Sequence, residues 1–100
     1  MKLSEKEIQL LALVQLKELS GREVAKRYEE ETGKMISYAT VYTTMRRLKE
    51  AGWLSSRDDS DEDGRIRFFR ITGNGVSALN DARRELQALA SFGLGDRGLA

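Results

Sequence analysis

The hydrophobic residues of this chain recur at helical spacing in four segments, each preceded by a serine or threonine that can cap a helix. Ser4 and Glu7 have the spacing of a capping box, in which each side chain accepts from the other residue's backbone N–H. They predict a first helix through about Leu16. Residues 20–23 repeat the pattern and predict a second helix, which ends at Gly33 because glycine readily adopts the left-handed conformation that follows a helix.

A third helix is predicted after Ser37, because Val41, Met45 and Leu48 keep the i, i+4, i+7 spacing of an inward-facing stripe. Gly52 ends this helix. The turn between the second and third helices is short and contains a glycine, which is typical of a helix-turn-helix. Three-helix domains without any role in DNA binding share this spacing, so the pattern alone does not identify a function.

The second half of the chain predicts a β-hairpin and a last helix. Residues 53–57 and 66–71 have the composition of strands, and the polar stretch 58–64 between them predicts a long hairpin loop. Thr72 can cap the final helix. The predicted fold is therefore mainly α with a small antiparallel β-hairpin, a winged helix-turn-helix with an added C-terminal dimerisation helix.

A homodimer is predicted from two apolar surfaces. The first helix is apolar around most of its girth, which is typical of a helix buried on more than one side. The last helix has four apolar residues spaced three, four and three apart, as in a short coiled-coil seam. The predicted dimer contacts are Leu79, Ala82, Leu86 and Leu89, with Leu10 and Leu13 of the first helix. The domain with its dimerisation helix is expected to span 1–91, and 92–100 to form a flexible tail.

The absence of two residue types from the composition narrows the functions that the chain could have. The 100 residues contain no cysteine and no histidine, which excludes disulfides, thiol nucleophiles, the usual zinc sites and histidine-based acid–base catalysis. We therefore expect no enzyme activity, no metal and no cofactor. No apolar run is long enough to span a membrane, and the N-terminus lacks a signal-peptide pattern. A cytoplasmic protein without a membrane partner is expected.

The net charge of +1 hides a strong polarity along the chain. Residues 58–63 hold five acids and no base, whereas the rest of the chain carries 17 basic and 11 acidic side chains, with the basic excess in its middle. A basic middle beside one acidic patch makes the molecule electrostatically polarised.

The polar face of the predicted third helix is the candidate DNA-contacting surface. Its short hydroxyl side chains can approach phosphates and base edges, and an arginine can bind guanine through two hydrogen bonds. A solvated amphipathic face is the alternative, although threonine contributes little to helix stability. The candidate residues, expected to face outward or cap the helix, are Ser37, Tyr38, Thr40, Thr43, Thr44 and Arg47.

The predicted wing carries basic and acidic residues side by side. Arg65 and Arg67 are candidates for phosphate contacts, with charge balance across the strands against Asp58 and Asp59 as the alternative. The acidic loop matches the first six positions of an EF-hand calcium loop, but its twelfth position is Arg70 instead of glutamate. A solvated turn whose acids keep the wing tip away from phosphates is favoured over calcium binding.

These segments, in this order, resemble the PadR-like family of winged-helix transcriptional regulators. Residues 37–42 and 48–54 are similar to that family's recognition helix and first strand, and residues 64–65, 68–72 and Gly75 to its wing and the entry to its last helix. The Val-Tyr-Thr run in the third helix also resembles the penicillinase-repressor group of winged-helix proteins.

The resemblance implies a bacterial repressor that dimerises through its C-terminal helix, binds a near-palindromic operator and has Tyr42 near the DNA backbone. This chain departs from the family pattern, which usually has a glycine near Ala39, a proline at Thr43 and a tyrosine pair where Phe68 and Phe69 stand. The missing hydroxyls at the last two positions remove potential phosphate contacts.

A sequence-specific, homodimeric DNA-binding repressor is therefore our hypothesis. A winged-helix protein-interaction module without DNA binding is the main alternative, because the wing is acidic and the net charge small. A small hydrolase that depends on the carboxylates of 58–63 is a remote one, since those groups are expected to be mobile. Trp53 is predicted to pack in the core, or else to stack on a ligand at the dimer interface. A small-molecule effector therefore stays open as a partner.

Overall fold

Four helices and a three-stranded antiparallel sheet form the part of the chain that the computed structural model describes, residues 3–94. In chain order the elements are α1 Glu5–Leu13, β1 Leu19–Ser20, α2 Gly21–Thr32, α3 Tyr38–Glu50, β2 Leu54–Asp61, β3 Gly64–Ile71 and α4 Gly73–Ser91. The strand order is β1-β3-β2. This is the predicted winged helix-turn-helix with an added C-terminal helix. Within 3–94, none of the helices has the length and apolar character that crossing a bilayer requires.

Side-chain caps set the starts of all four helices, as the serine and threonine spacing predicts. In α1 the Ser4 hydroxyl accepts from the Glu7 N–H at 3.1 Å, and the Glu7 carboxylate accepts from the Ser4 N–H at 2.8 Å. Ser20 and Glu23 make the same pair of bonds at the start of α2. Gly33 ends α2 with φ +72°.

The end of the first helix differs from the prediction. α1 stops at Leu13 instead of about Leu16, whose side chain is 93% exposed. The chain turns there because it continues into β1, a short strand that the sequence did not predict. In β1, Leu19 is buried and pairs with Phe69 of β3. The chain thus pairs with β3 where the sequence predicted the last turn of the helix.

The predicted long loop of the hairpin is also wrong. β2 and β3 pair without a break from Leu54↔Ile71 to Asp61↔Gly64, which leaves a two-residue turn. Aspartate is a poor strand former, but Asp58 lies directly opposite Arg67 and accepts a hydrogen bond from its Nε at 2.9 Å. Such cross-strand ion pairs stabilise a polar hairpin. The EF-hand match therefore lies mostly on extended strand, and residues 3–94 contain no acidic cluster that could hold a metal ion.

The hydrophobic core lies between α1, α2, α3, the sheet and the start of α4. Its largest fully buried side chains are Leu10, Leu11, Leu19, Met45, Leu48, Leu79, Val14, Val24 and Val41. The prediction of Leu10 and Leu79 as dimer contacts is wrong, because both are fully buried within this domain. Hydrophobic spacing alone cannot distinguish a helix face buried in its own domain from one buried against a partner.

The start of α4 is fixed against the loop that precedes β2. Thr72 donates its hydroxyl to the Gly52 carbonyl at 2.7 Å and its backbone N–H to the Trp53 carbonyl at 3.1 Å. Trp53 itself is half-buried and packs against the core. The end of the chain is less completely described: of the predicted flexible tail, residues 95–100 lie outside the described residues, as do residues 1–2 of the predicted domain.

We predict that Gly75→Ala destabilises the domain by about 2–3 kcal/mol, because a Cβ at position 75 would lie 2.1 Å from the Trp53 carbonyl oxygen. The matched control is Gly73→Ala in the same helical turn, where a Cβ meets nothing within 4 Å. The control should be neutral or slightly stabilising, since alanine is the better helix former. Urea unfolding of both variants measures the difference, and equal stabilities would contradict the close contact.

Candidate nucleic-acid interface

The rotation of α3 about its axis is set by the side chains that it buries. Val41, Met45 and Leu48 have no exposed surface. At 100° per residue, the positions opposite this stripe are those in which a side chain points to solvent. We call this set the outer face of α3, and it consists of Ala39, Thr43, Arg46 and Glu50, all exposed.

The structure corrects one residue of the predicted DNA-contacting surface. Thr44, predicted to face outward, is 6% exposed, so this prediction is wrong. Thr44 lies three residues after Val41 and four before Leu48, which places it on the buried side of the helix. Val41, Met45 and Leu48 define the inward side, and a threonine within that arc is carried inside with them.

Arg46 is the residue that sequence reasoning missed. Its side chain is exposed on the outer face of α3 and makes no salt bridge with any residue of 3–94. The signal was present in the sequence, since Arg46 follows Ala39 by seven residues and Thr43 by three, the spacing of one helical face. Within residues 3–94 Arg46 is therefore a cation without an ion pair, beside the small side chains of Ala39 and Thr43 and with Glu50 four residues further along the same face.

The other candidates on α3 lie around the outer face. Tyr38 and Thr43 are exposed, and Thr40 is half-buried. Ser37 caps the helix: its hydroxyl accepts from the Thr40 N–H at 3.0 Å and donates to the Thr40 hydroxyl oxygen at 2.9 Å. No acid lies in the first turn of α3, so the positive end of the helix dipole faces solvent without a competing carboxylate.

Arg47 is turned away from the outer face and towards α1. Its Nη1 donates to the Glu7 carboxylate at 3.0 Å, and that carboxylate is buried. Burial raises the pKa of the Glu7 carboxyl, but hydrogen bonds from Ser4 and Arg47 outweigh it and hold the pKa below its ordinary value. Arg47 thus joins α3 to the capping box of α1.

Tyr42 connects α3 to the wing and to the start of α2. Its ring lies 5.9 Å from that of Phe69, centroid to centroid, at an interplanar angle of 54°. The ring also covers Gly21, where a Cβ would lie 2.4 Å from the tyrosine hydroxyl. Glycine at position 21 therefore makes room for Tyr42, and the tyrosine sits half-buried where helix, wing and α2 meet.

The arginines of the wing are paired with acids of the same chain. Arg67 binds Asp58, and Arg65 approaches the same carboxylate at 3.9 Å. The hydrogen bond from Arg67 lowers the pKa of Asp58. Arg57 donates to Glu18 at 2.7 Å and lies over the Phe68 ring. These pairs give the charge balance that was the alternative to phosphate contacts. Arg65 stays largely exposed and Arg67 partly exposed, so both can exchange a carboxylate for a phosphate.

The predicted dimer residues that remain at the surface lie along an apolar groove. This α4 groove has a volume of about 550 Å³ and is lined by Leu3, Ile8, Ala82, Glu85, Leu86, Ala88, Leu89 and Phe92. Leu89 and Phe92 are 73% and 84% exposed. Leu13 is half-buried and is not among the lining residues.

The sequence matches the family model described as "Transcriptional regulator PadR-like family" over residues 10–81. The chain belongs to this family. Membership implies a winged-helix protein that regulates transcription by binding DNA. The match covers everything from the middle of α1 to the first half of α4, and so includes the outer face of α3 and the whole wing.

Solved structures of PadR-like and related regulators share the fold. A PadR family transcriptional regulator from Eggerthella lenta superposes with a TM-score of 0.77 at 23% identity, covering 86% of this chain and 75% of that one. A putative transcriptional regulator from Thermoplasma acidophilum superposes with a TM-score of 0.75 at 26% identity, covering 84% of each chain. A PadR family transcription regulator from Clostridium difficile superposes with a TM-score of 0.76 at 19% identity, covering 88% of this chain and 93% of that one. No curated protein sequence matches the chain.

We predict that Glu7→Gln lowers the free energy of unfolding of this PadR-like domain by about 1–2 kcal/mol at neutral pH, because the charged hydrogen bond with Arg47 is lost. The folded-state pKa of Glu7 lies below its unfolded value. The stabilisation is therefore fully present above the unfolded pKa and is lost as the pH falls through the folded one. Urea unfolding at pH 7 and in steps below pH 4.5 should show the variant and the parent converging; a constant difference at all pH values would contradict the pairing.

Proposed function

We propose that this PadR-like protein is a homodimeric repressor that recognises a near-palindromic operator through the outer face of α3. The observation that carries the proposal is the chemistry of that face. Ala39 and Thr43 are small, Arg46 is long and unpaired within 3–94, and all three project from a helix whose opposite side is fully buried. An α-helix of this kind fits the major groove of B-DNA.

Three of the four side chains of the outer face, all except Glu50, are assigned a partner on a base edge. The Ala39 methyl can pack on a thymine methyl, the Thr43 hydroxyl can donate or accept, and the Arg46 guanidinium can bind O6 and N7 of guanine together. A glycine near position 39 is usual in the family, so the methyl of Ala39 gives this chain a contact that glycine lacks.

Residues around the outer face supply contacts to the DNA backbone. Ser37, Tyr38 and Thr40 lie at the N-terminal end of α3, where free amides and hydroxyls can bind a phosphate. Tyr42, Arg65 and Arg67 occupy the side towards the wing. Phosphate contacts of this type position the protein on the duplex and leave the choice of sequence to the base edges.

The second subunit of the proposed dimer is a copy of this chain docked in the α4 groove. From residue 83 to residue 91, where α4 ends, every residue is exposed, so about two and a half helical turns of α4 touch little of their own domain. A helical segment of that length is marginal alone in water. Ala82, Leu86 and Leu89 keep coiled-coil spacing along it, which supports an identical helix as the partner.

A two-fold dimer gives the mechanism its geometry. Two copies of α3 would enter successive major grooves about one turn, ~34 Å, apart, which requires an operator with two inverted half-sites. A dimer that occupies such a site within a promoter excludes the polymerase. Repression thus needs only binding, and a signal that changes the spacing of the two helices relieves it.

For DNA recognition, we predict that selection from random duplexes enriches one inverted repeat, and that Arg46→Ala weakens binding to it by about 1–3 kcal/mol while relaxing the preference at one base pair of each half-site. Arg84→Ala on α4 removes the same charge far from α3 and is the matched control, expected to bind as the parent does. An equal loss in both variants would contradict a base contact. Failure to enrich any sequence would favour a protein-interaction module.

For the dimer, we predict that Leu86→Glu combined with Leu89→Glu weakens self-association on the order of 100-fold, because it puts two carboxylates into an apolar contact. Gln87→Glu with Ala90→Glu adds the same charges to the same helix outside the α4 groove. Analytical ultracentrifugation should give monomers for the first pair and dimers for the control. A dimer that survives the leucine substitutions would rule out this interface.

A further inference from the structure

A small groove between the wing tip and the start of α2 contains both acidic and basic side chains. This wing groove has a volume of about 130 Å³, enough for about four water molecules. It is lined by Ser20, Arg22, Tyr42, Asp61, Asp63, Arg65 and Ile66. It opens beside Tyr42, on the side of α3 that faces the wing.

The walls of the wing groove are held in position by packing on both sides. Ser20 pairs with Phe68 through β1 and β3, so the start of α2 is joined to the base of the wing. Tyr42 covers Gly21 and packs on Phe69, which holds the third wall against the other two. These contacts hold the base of the wing beside the start of α2, and the tip of the wing extends from that base.

The charges of the wing groove cancel without contact ion pairs between its own residues. Arg22 makes no salt bridge within residues 3–94, and the ion pair of Arg65 is with Asp58, outside the groove, at 3.9 Å. Asp61 accepts from the Asp63 N–H at 2.8 Å, which fixes the turn. Two basic and two acidic residues thus line the same small space.

A DNA phosphate that entered the wing groove would meet hydrogen-bond donors and negatively charged carboxylates together. The guanidinium groups of Arg22 and Arg65 and the hydroxyl of Tyr42 can all donate to a phosphate oxygen. Asp61 and Asp63 line the same groove, so their carboxylates would repel an oxyanion bound there. The repulsion is the same for every DNA sequence, because it involves only the backbone.

We propose that Asp61 and Asp63 form an electrostatic gate on the wing groove, which weakens the binding of DNA phosphates there. This proposal rests on the proposed DNA-binding function. The gate determines how strong the other contacts must be before the protein stays bound to a DNA site. Non-specific binding is almost entirely electrostatic, so repulsion of phosphates by the two aspartates reduces it to low occupancy. Binding to an operator is reduced less in proportion, because the base contacts of α3 add to it. The acidic tip thereby makes stable occupancy depend on the outer face of α3.

The test measures binding of a non-operator duplex to Asp61→Asn, Asp63→Asn and the double variant by fluorescence anisotropy over ~50–200 mM salt. Each single substitution should tighten binding about 3-fold at the lowest salt, and the double about 10-fold. The gain should shrink as salt rises. Asparagine keeps the acceptor for the Asp63 N–H, so the turn is preserved, and thermal melting checks this.

Glu62→Gln is the matched control, because Glu62 stands between the two aspartates in the turn and does not line the wing groove. It should change affinity less than 2-fold. A second control combines the double variant with Arg22→Gln and Arg65→Gln. If the gate acts on phosphates that these arginines bind, the gain from removing the acids disappears in this background.

Several results would overturn the gate. It is wrong if the aspartate variants bind no more tightly than Glu62→Gln, or if their gain persists without Arg22 and Arg65. If neither the parent nor the double variant binds any duplex, the gate and the proposed function both fail. If the parent binds its selected operator and the aspartate variants match it on non-operator DNA, the gate alone fails. DNA binding that appears only in the double variant supports it.

Discussion

The burial of Val41, Met45 and Leu48 in one core is the constraint on which the rest of the structure depends. Each of these side chains contributes about 1.5–3 kcal/mol by leaving water, so α3 cannot rotate without a large loss of stability. With the inward side fixed, Thr44 goes inside and Arg46 outside. The surface that we propose for DNA recognition in this PadR-like regulator thus follows from the packing on the other side of the helix.

Most of the fold could be predicted from local patterns, and the two failures have a common cause. The starts of all four helices follow from serine and threonine caps that act within three residues. The early end of α1 and the long wing depend on partners far along the chain: Leu19 pairs with Phe69, and Asp58 with Arg67. A polar run such as 58–63 lacks the alternation of apolar residues and the β-branched or aromatic residues that predict a strand. Its extended conformation depends on pairing with β3.

The candidate site was predictable as a region, and less so residue by residue. The predicted buried stripe was right, but Thr44 was placed outside and Arg46 overlooked because the candidates were chosen by residue type and not by their angle from that stripe. Charge was a poor guide for a similar reason. Arg47 and Arg67 are paired with Glu7 and Asp58 of the same chain, and no sequence pattern distinguishes such an arginine from one that is free for DNA.

The most direct test of the central claim is a methylation-interference footprint on a selected operator, which reports contacts to guanine N7 in the major groove. With the outer face of α3 in that groove, N7 methylation should block binding at one guanine in each half-site, the two about one helical turn apart. The same methylation should have no further effect on an Arg46→Ala protein. Interference that is absent, or that persists unchanged without the arginine, would contradict the account.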